Sequence, residues 1–176
     1  MIPIVNSDDQ IVMFKNRDSV DPSTDIIRAA SLILMDSNGK VLLARRSLNK
    51  KSEPGCWGEA VGGTVEGRET YLATLERETA EELGLQLPPT KLGPKTYTEG
   101  RPPYFTQWFL ARTDIDINSL TLQAEEVDAV EWFTLQRLKS DSQENPEQFI
   151  APIGTMVEIA EAFLSEPDTI APPRAA

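Results

Sequence analysis

At 176 residues, 40% of them hydrophobic and 26% charged, the chain suits one globular domain with room for a substantial core. A net charge of −11 argues against long nucleic acids, whose binding is driven by neutralising phosphates with Lys and Arg, but not against a small anionic substrate beside a divalent cation. The absence of histidine and the single cysteine, Cys56, exclude Ser-His-Asp and Cys-His nucleophiles, His-ligated zinc and an internal disulfide framework.

The N-terminus, MIPIVNSDDQ, lacks the basic start and apolar stretch of a secretory signal. No apolar run is long enough to span a membrane, and a reducing, cytoplasmic compartment is the expectation. Ile2–Val5 and Ile11–Phe14 read as a small hairpin around Asn-Ser-Asp-Asp, and Asn16–Asp25 reads as a loop. Ile26–Met35 is apolar enough for a central strand. The turn Asp36-Ser-Asn-Gly39 returns the chain as a second strand, Lys40–Arg45.

The basic loop Arg45–Lys51 follows, then Pro54-Gly55. It is the densest positive cluster in an acidic chain, either a solvated charge run or an edge that grips phosphate. Trp57–Val65 suggests one strand that breaks at Gly62-Gly63, where backbone must approach something closely. Thr70–Leu83 is a strong helix with Gly84 to stop it. Lys91–Thr98 and Tyr104–Arg112 form a second hairpin across Glu99–Pro103, and Val127–Phe133 is a further strand.

Leu135–Lys139 reads as a brief helix before a polar linker, Ser140–Gln148. Ile153, Met156, Val157, Ala160, Phe163 and Leu164 then repeat at helical spacing behind Pro152. Residues 1–166 form a single domain in this reading, with 1–25 as an N-terminal hairpin extension and 167–176 as a frayed tail. Strands before and after a helix, with a terminal helix, indicate a mixed sheet with helices packed on it, an α+β fold.

The helix at 70–83 carries the chemistry. On a helical wheel Leu72, Leu75, Thr79 and Leu83 form a narrow buried stripe, and Glu78, Glu81 and Glu82 fall together on an adjoining arc rather than opposite it. Like charges at i, i+4 oppose each other by roughly 0.2–0.5 kcal/mol. Acids in a last turn also face the negative end of the helix dipole, at about 0.3–1 kcal/mol each. Ordinary surface glutamates would not gather there; hard oxygen ligands for a divalent cation would.

Gly63, Glu69, Arg77, Glu78, Glu81, Glu82, Gly84 and Leu85 resemble the Nudix signature G-x5-E-x7-R-E-U-x-E-E-x-G-U, where U is a bulky aliphatic. Thr79 departs from it, standing where an aliphatic is usual. The order of elements from Ile26 to Leu164 is similar to the Nudix fold, a mixed sheet sandwiched between helices (α/β/α). Pro54-Gly55-Cys56-Trp57 before the box resembles the isopentenyl-diphosphate isomerase-like subgroup, which holds isomerases and diphosphate hydrolases.

The resemblance implies hydrolysis of a diphosphate linkage in a nucleoside diphosphate-type small molecule, with Mg2+ or Mn2+. Glu78 and Glu82 would be the principal metal ligands, Glu81 a further or water-mediated one, and the Gly62 carbonyl another. Arg77 would pair with Glu69 to fix the loop on the helix. Glu126 would be a late ligand or general base, unless it belongs with Glu125 to a solvated acidic loop. Arg45, Arg46, Lys50 and Lys51 would clamp phosphates, and Tyr104, Phe105 or Trp108 would stack on a base or lie in the core.

An isomerase needs a cysteine where Gly62 stands, and Cys56 lies on the other side of Trp57, so a hydrolase is expected rather than an isomerase. A non-catalytic nucleotide-binding Nudix module is the remaining alternative, weakened because all four signature glutamates are present. A homodimer is left open, with the N-terminal extension available to cover a pocket or a partner.

Overall fold

The computed structural model describes residues 1–165; the tail expected at 167–176 lies outside them. Strands β1 (Ile2–Val5) and β2 (Ile11–Lys15) make an antiparallel N-terminal hairpin. The main sheet holds β3 (Ile27–Met35), β4 (Val41–Arg46), β5 (Trp57–Glu59), β6 (Val61–Thr64), β7 (Lys91–Thr98), β8 (Tyr104–Arg112) and β9 (Val127–Phe133). Helix α1 (Tyr71–Leu83) follows β6, while α2 (Leu135–Glu144) and α3 (Ile153–Ser165) close the described chain.

Strand β3 is the hub. It runs parallel to β8 along its whole length and antiparallel to β6, and it touches β4 only at Leu34–Leu42 and Met35–Val41. Alternate residues of a strand face opposite ways, and β3 uses this to serve two cores. Ile33 and Met35 pack with Leu43, Phe133 and the apolar faces of α2 and α3. Leu32 and Leu34 pack with Leu42, Val61 and, from α1, Leu75 and Leu83. The result is a mixed sheet between helical layers, the α+β arrangement expected. Among the described residues, no helix is long and apolar enough to cross a membrane.

Three local expectations are corrected. The run 57–65 is two strands, broken at Ala60 rather than at the glycines. β5 pairs with β4, whereas β6 carries Gly62 and Gly63 in regular register against Ser31 and Ala30 of β3. The brief helix at 135–139 extends to Glu144. Thr134 Oγ1 caps it by accepting from Arg137 N, and Arg137–Asp141 and Ser140–Glu144 side-chain contacts support its solvated face. Leu72 is 42% exposed rather than part of the buried stripe, because it lines an open groove with Leu92 and Phe109 at the start of α1. Of the two places left open for Trp108, the structure shows the core, with Nε1 donating to Thr96 Oγ1 at 2.9 Å.

The N-terminal hairpin is tied to the loop that precedes α1. Met1 O accepts from Gly67 N at 2.6 Å, and Arg17 Nη2 meets Glu66 Oε1 at 2.6 Å. Asp9, in the hairpin turn with φ of 57°, accepts from Arg28 Nε at 2.6 Å, from Tyr71 Oη at 3.0 Å and from Lys95. Burial would raise the Asp9 carboxyl's pKa, but these three donors outweigh it and hold the group below the usual carboxylate range.

Candidate active site

Helix α1 begins where Thr70 Oγ1 accepts from Ala73 N, and it ends on Gly84, whose φ of 66° is the left-handed cap conformation. These two stops set the phase of the helix against the sheet. Glu82 is thereby buried, Glu78 half-buried and Glu81 exposed. Glu78 lies against β6 where Gly63 has no side chain: a Cβ there would sit less than 3.0 Å from Glu78 Oε1.

Arg77 organises the box loop. Its Nε and Nη2 grip the two oxygens of Glu69 at 3.0 and 3.2 Å, and its Nη1 meets Glu78 Oε1 at 2.9 Å and Glu81 Oε2 at 3.0 Å. Thr74 Oγ1 donates to Glu69 Oε2 at 2.7 Å, which completes the seat. The Arg77 guanidinium, with help from Thr74, holds the Glu69 carboxyl below its ordinary pKa.

A small polar pocket opens beside Glu82. Arg46, Glu59, Gly62, Glu82 and Glu126 line it, with Ala44, Val127 and Ile150 as apolar wall. Glu126 arrives from far along the chain because its loop is stitched to the end of α1: Thr121 N donates to Leu83 O at 3.2 Å, and Gln123 N donates to Glu82 O at 3.1 Å. Ser47 N donates to Glu126 O at 2.9 Å, and Lys50 pairs with the Glu126 carboxylate.

Charge density in this pocket is high. Burial pushes the Glu82 carboxyl up to about 8, and the charges of Glu78, Glu126 and Glu59 add to the shift against one opposing hydrogen bond from the Gly62 backbone. Glu78 is also raised, chiefly by burial, with Arg77 opposing. Among the described residues, no three acids are gathered tightly enough to form a ready-made metal cage. The donor set nonetheless fits a hard divalent cation: carboxylate oxygens only, mutually repelling, with one kept buried where a positive charge would relieve the repulsion.

The basic residues divide. Arg46 lines the pocket and braces the neighbouring loop through Ser52 O, at 3.2 Å from Nε and 3.1 Å from Nη2. Lys50 reaches the pocket through Glu126. Arg45, next to Arg46 on the same strand, pairs instead with Asp128 and lies over the Trp57 ring at 5.6 Å. Its Nε is buried without a hydrogen-bond partner. Lys51 is exposed and is not among the pocket's lining residues. Of the aromatic candidates, Phe105 packs against Tyr97 with ring centroids 5.2 Å apart, and Tyr104 is largely buried near Glu59, with burial raising its pKa.

Glu59 escaped the sequence reading. It is the lone charged residue between Pro54 and Thr64, an isolated acid in a run with the composition of a buried strand, and that was the available signal. Ser31 Oγ donates to its Oε1 at 2.9 Å, and burial raises its carboxyl's pKa. Cys56 is not among the pocket's lining residues; its Sγ donates to Glu147 O at 3.4 Å.

Comparison with known proteins identifies the family and the fold. The NUDIX domain profile matches residues 25–152. A prenyl-diphosphate phosphatase of Methanosarcina mazei is 34% identical over 140 residues, spanning 78% of this chain and 81% of that protein. An isopentenyl-diphosphate Delta-isomerase of Serratia proteamaculans is 25% identical over 151 residues, 85% of this chain and 84% of the relative. In fold, the crystal structure of DR0079 from Deinococcus radiodurans superposes with a TM-score of 0.72 at 22% identity, over 89% of this chain and 96% of that one. With the box loop, the acid-bearing helix and the glycine pair assembled in one site, the chain belongs to the NUDIX family and is a Nudix hydrolase acting on diphosphates.

Proposed function

We propose that the chain hydrolyses a diphosphate joined to an organic group, using Mg2+ or Mn2+ held by Glu78 and Glu82, with the Gly62 carbonyl and Glu126 available to complete the set. The observation that carries this reading is Glu82, a carboxyl buried among like charges, whose repulsion a bound cation would relieve. When bound, the cation neutralises the diphosphate and acidifies a water molecule beside it.

The residues of the chain supply the rest. Arg77 clamps Glu69 and Glu78 and so fixes the box loop on the helix, a positioning role. Glu81, exposed and paired with Arg77, serves that clamp and reaches the cation only through water. Glu126 accepts the proton of the attacking water, and Lys50 holds its carboxylate in place. Arg46 and Lys50 contact the phosphates; Arg45 and Lys51 act at longer range through their charge.

Two organic groups are proposed for the diphosphate. The family resemblance suggests a nucleoside. A prenyl group is the second reading, supported by the relative in Methanosarcina mazei; of the aromatic residues expected to stack on a base, Trp108 lies in the core and Phe105 packs on Tyr97.

A panel of prenyl diphosphates, nucleoside di- and triphosphates, dinucleoside polyphosphates and sugar nucleotides, assayed with magnesium and then manganese, separates the two. Phosphate release that needs the cation and is lost in E82Q is expected. Turnover in chelator, or undiminished turnover in E78Q and E82Q together, would remove the cation assignment.

A further inference from the structure

We infer that Glu59 is an additional carboxylate ligand of the active-site cation, held in position by a slot that Ser31 and Gly62 form across two strands. This rests on the cation-dependent reading above and extends it to a residue outside the signature.

The slot is built from the sheet itself. Ser31 of β3 and Gly62 of β6 are direct cross-strand partners. Their positions face the space into which Glu59 turns from the end of β5. Ser31 Oγ donates to Glu59 Oε1 at 2.9 Å, and Gly62 leaves that oxygen room, because a Cβ there would come within 3.0 Å of it. A hydroxyl on one strand and an absent side chain on the other thus fix one carboxylate oxygen.

The Glu59 backbone N–H, the Ser31 hydroxyl and the charge of Arg46 offset burial of this acid only in part. No ion pair of Glu59 occurs among the described residues, and the carboxyl enters the same small pocket as Glu82 and Glu126. Glu59 and Glu82 approach that pocket from different elements, β5 and α1. Glu82 is buried and Glu59 part-buried, and the Glu59 charge adds to the cost of ionising Glu82, so the two acids on separate elements form a stable arrangement once a shared cation lies between them. A serine-oriented carboxylate behind a glycine is also how a ligand is kept at a fixed angle by its neighbours.

The test is manganese binding to the chelator-treated protein, measured by isothermal titration calorimetry on the wild type, E59Q, S31A and E82Q, with circular dichroism to establish folding. Glutamine keeps the shape of Glu59 and still accepts from Ser31, so a merely structural role would leave affinity unchanged. The expected result is about 10-fold or greater weakening in E59Q and a smaller loss in S31A, which removes only the orienting hydroxyl. Wild-type affinity in E59Q overturns the assignment of Glu59, while loss in E82Q keeps the cation reading itself. A wild-type protein that takes up no manganese overturns both. If E59Q does not fold, S31A carries the test, and unchanged affinity there overturns the inference.

Discussion

Gly63 and Glu78 lie so close across β6 and α1 that no side chain fits between them: a Cβ on Gly63 would fall within 3.0 Å of the Oε1, Cδ and Cγ atoms of Glu78. The glycine at the head of the box is therefore a steric requirement of the acid on the helix. Gly63→Ala will push the Glu78 side chain out of the site, and because that chain is flexible, the cost in stability will be modest, about 1–3 kcal/mol. Activity will fall far more, by about 100-fold or beyond, as a misplaced reacting group does. Circular dichroism melts beside phosphate-release assays check the split; a variant that loses stability and keeps its rate would contradict it.

Glu82 links stability to pH in the metal-free protein. Its folded-state carboxyl titrates at about 8, well above the ordinary value near 4.5, so between these values the native state holds a proton that the unfolded chain has released. Stability is therefore greatest below the unfolded value and declines as pH rises toward about 8, by up to a few kcal/mol. Thermal melts in chelator from pH 5 to pH 8.5 will show a falling Tm. Glu82→Gln will flatten that slope and raise Tm at the alkaline end, even as it abolishes cation-dependent turnover.

The acid-bearing helix was legible because two independent patterns, apolar periodicity and charge placement, converge on residues 70–83. Its C-terminal stop at Gly84 was equally plain, since a left-handed cap needs no knowledge of the rest of the fold. What could not be read was pairing between distant strands. The division of 57–65 at Ala60 depends on β5 joining β4 while β6 joins β3, and nothing local distinguishes those partners. Arg45 and Arg46 formed one cluster in sequence, yet Arg45 pairs with Asp128 and lies over the Trp57 ring, and of the two only Arg46 lines the pocket. Glu59 was missed for a related reason: a single acid on a short strand has no periodicity to announce it.

Asp9 holds the N-terminal hairpin to the box. Its carboxylate, 8% exposed, meets Arg28, Tyr71 and Lys95, which belong to β3, α1 and β7. Replacing it by asparagine keeps a residue that tolerates the positive φ, so the loss isolates charge rather than backbone strain. Asp9→Asn will cost about 1–3 kcal/mol, because it removes the partner charge of the part-buried Arg28. Urea denaturation will report the loss, and Tyr71→Phe in the same background will add little, since the two side chains share one interaction.

Thr79 stands where the signature has an aliphatic, and the structure explains why the chain tolerates it. The residue is 1% exposed, and its hydroxyl is satisfied within the helix, donating from Oγ1 to Leu75 O at 2.7 Å. Such a bond back along the helix competes with the backbone ladder and contributes little or slightly destabilises. Valine has nearly the same shape and the same branching at Cβ, while Leu75 O keeps its backbone donor one turn on. Thr79→Val removes a buried hydroxyl without opening a cavity, and the gain will be up to about 1 kcal/mol. Its side chain faces the core beside Leu75 and Leu83 rather than the acidic pocket, so turnover will stay at the wild-type rate. A higher urea midpoint with unchanged kcat is the expected pair of results; a stability loss would mean that the hydroxyl, not the methyl, is what the core requires at this position.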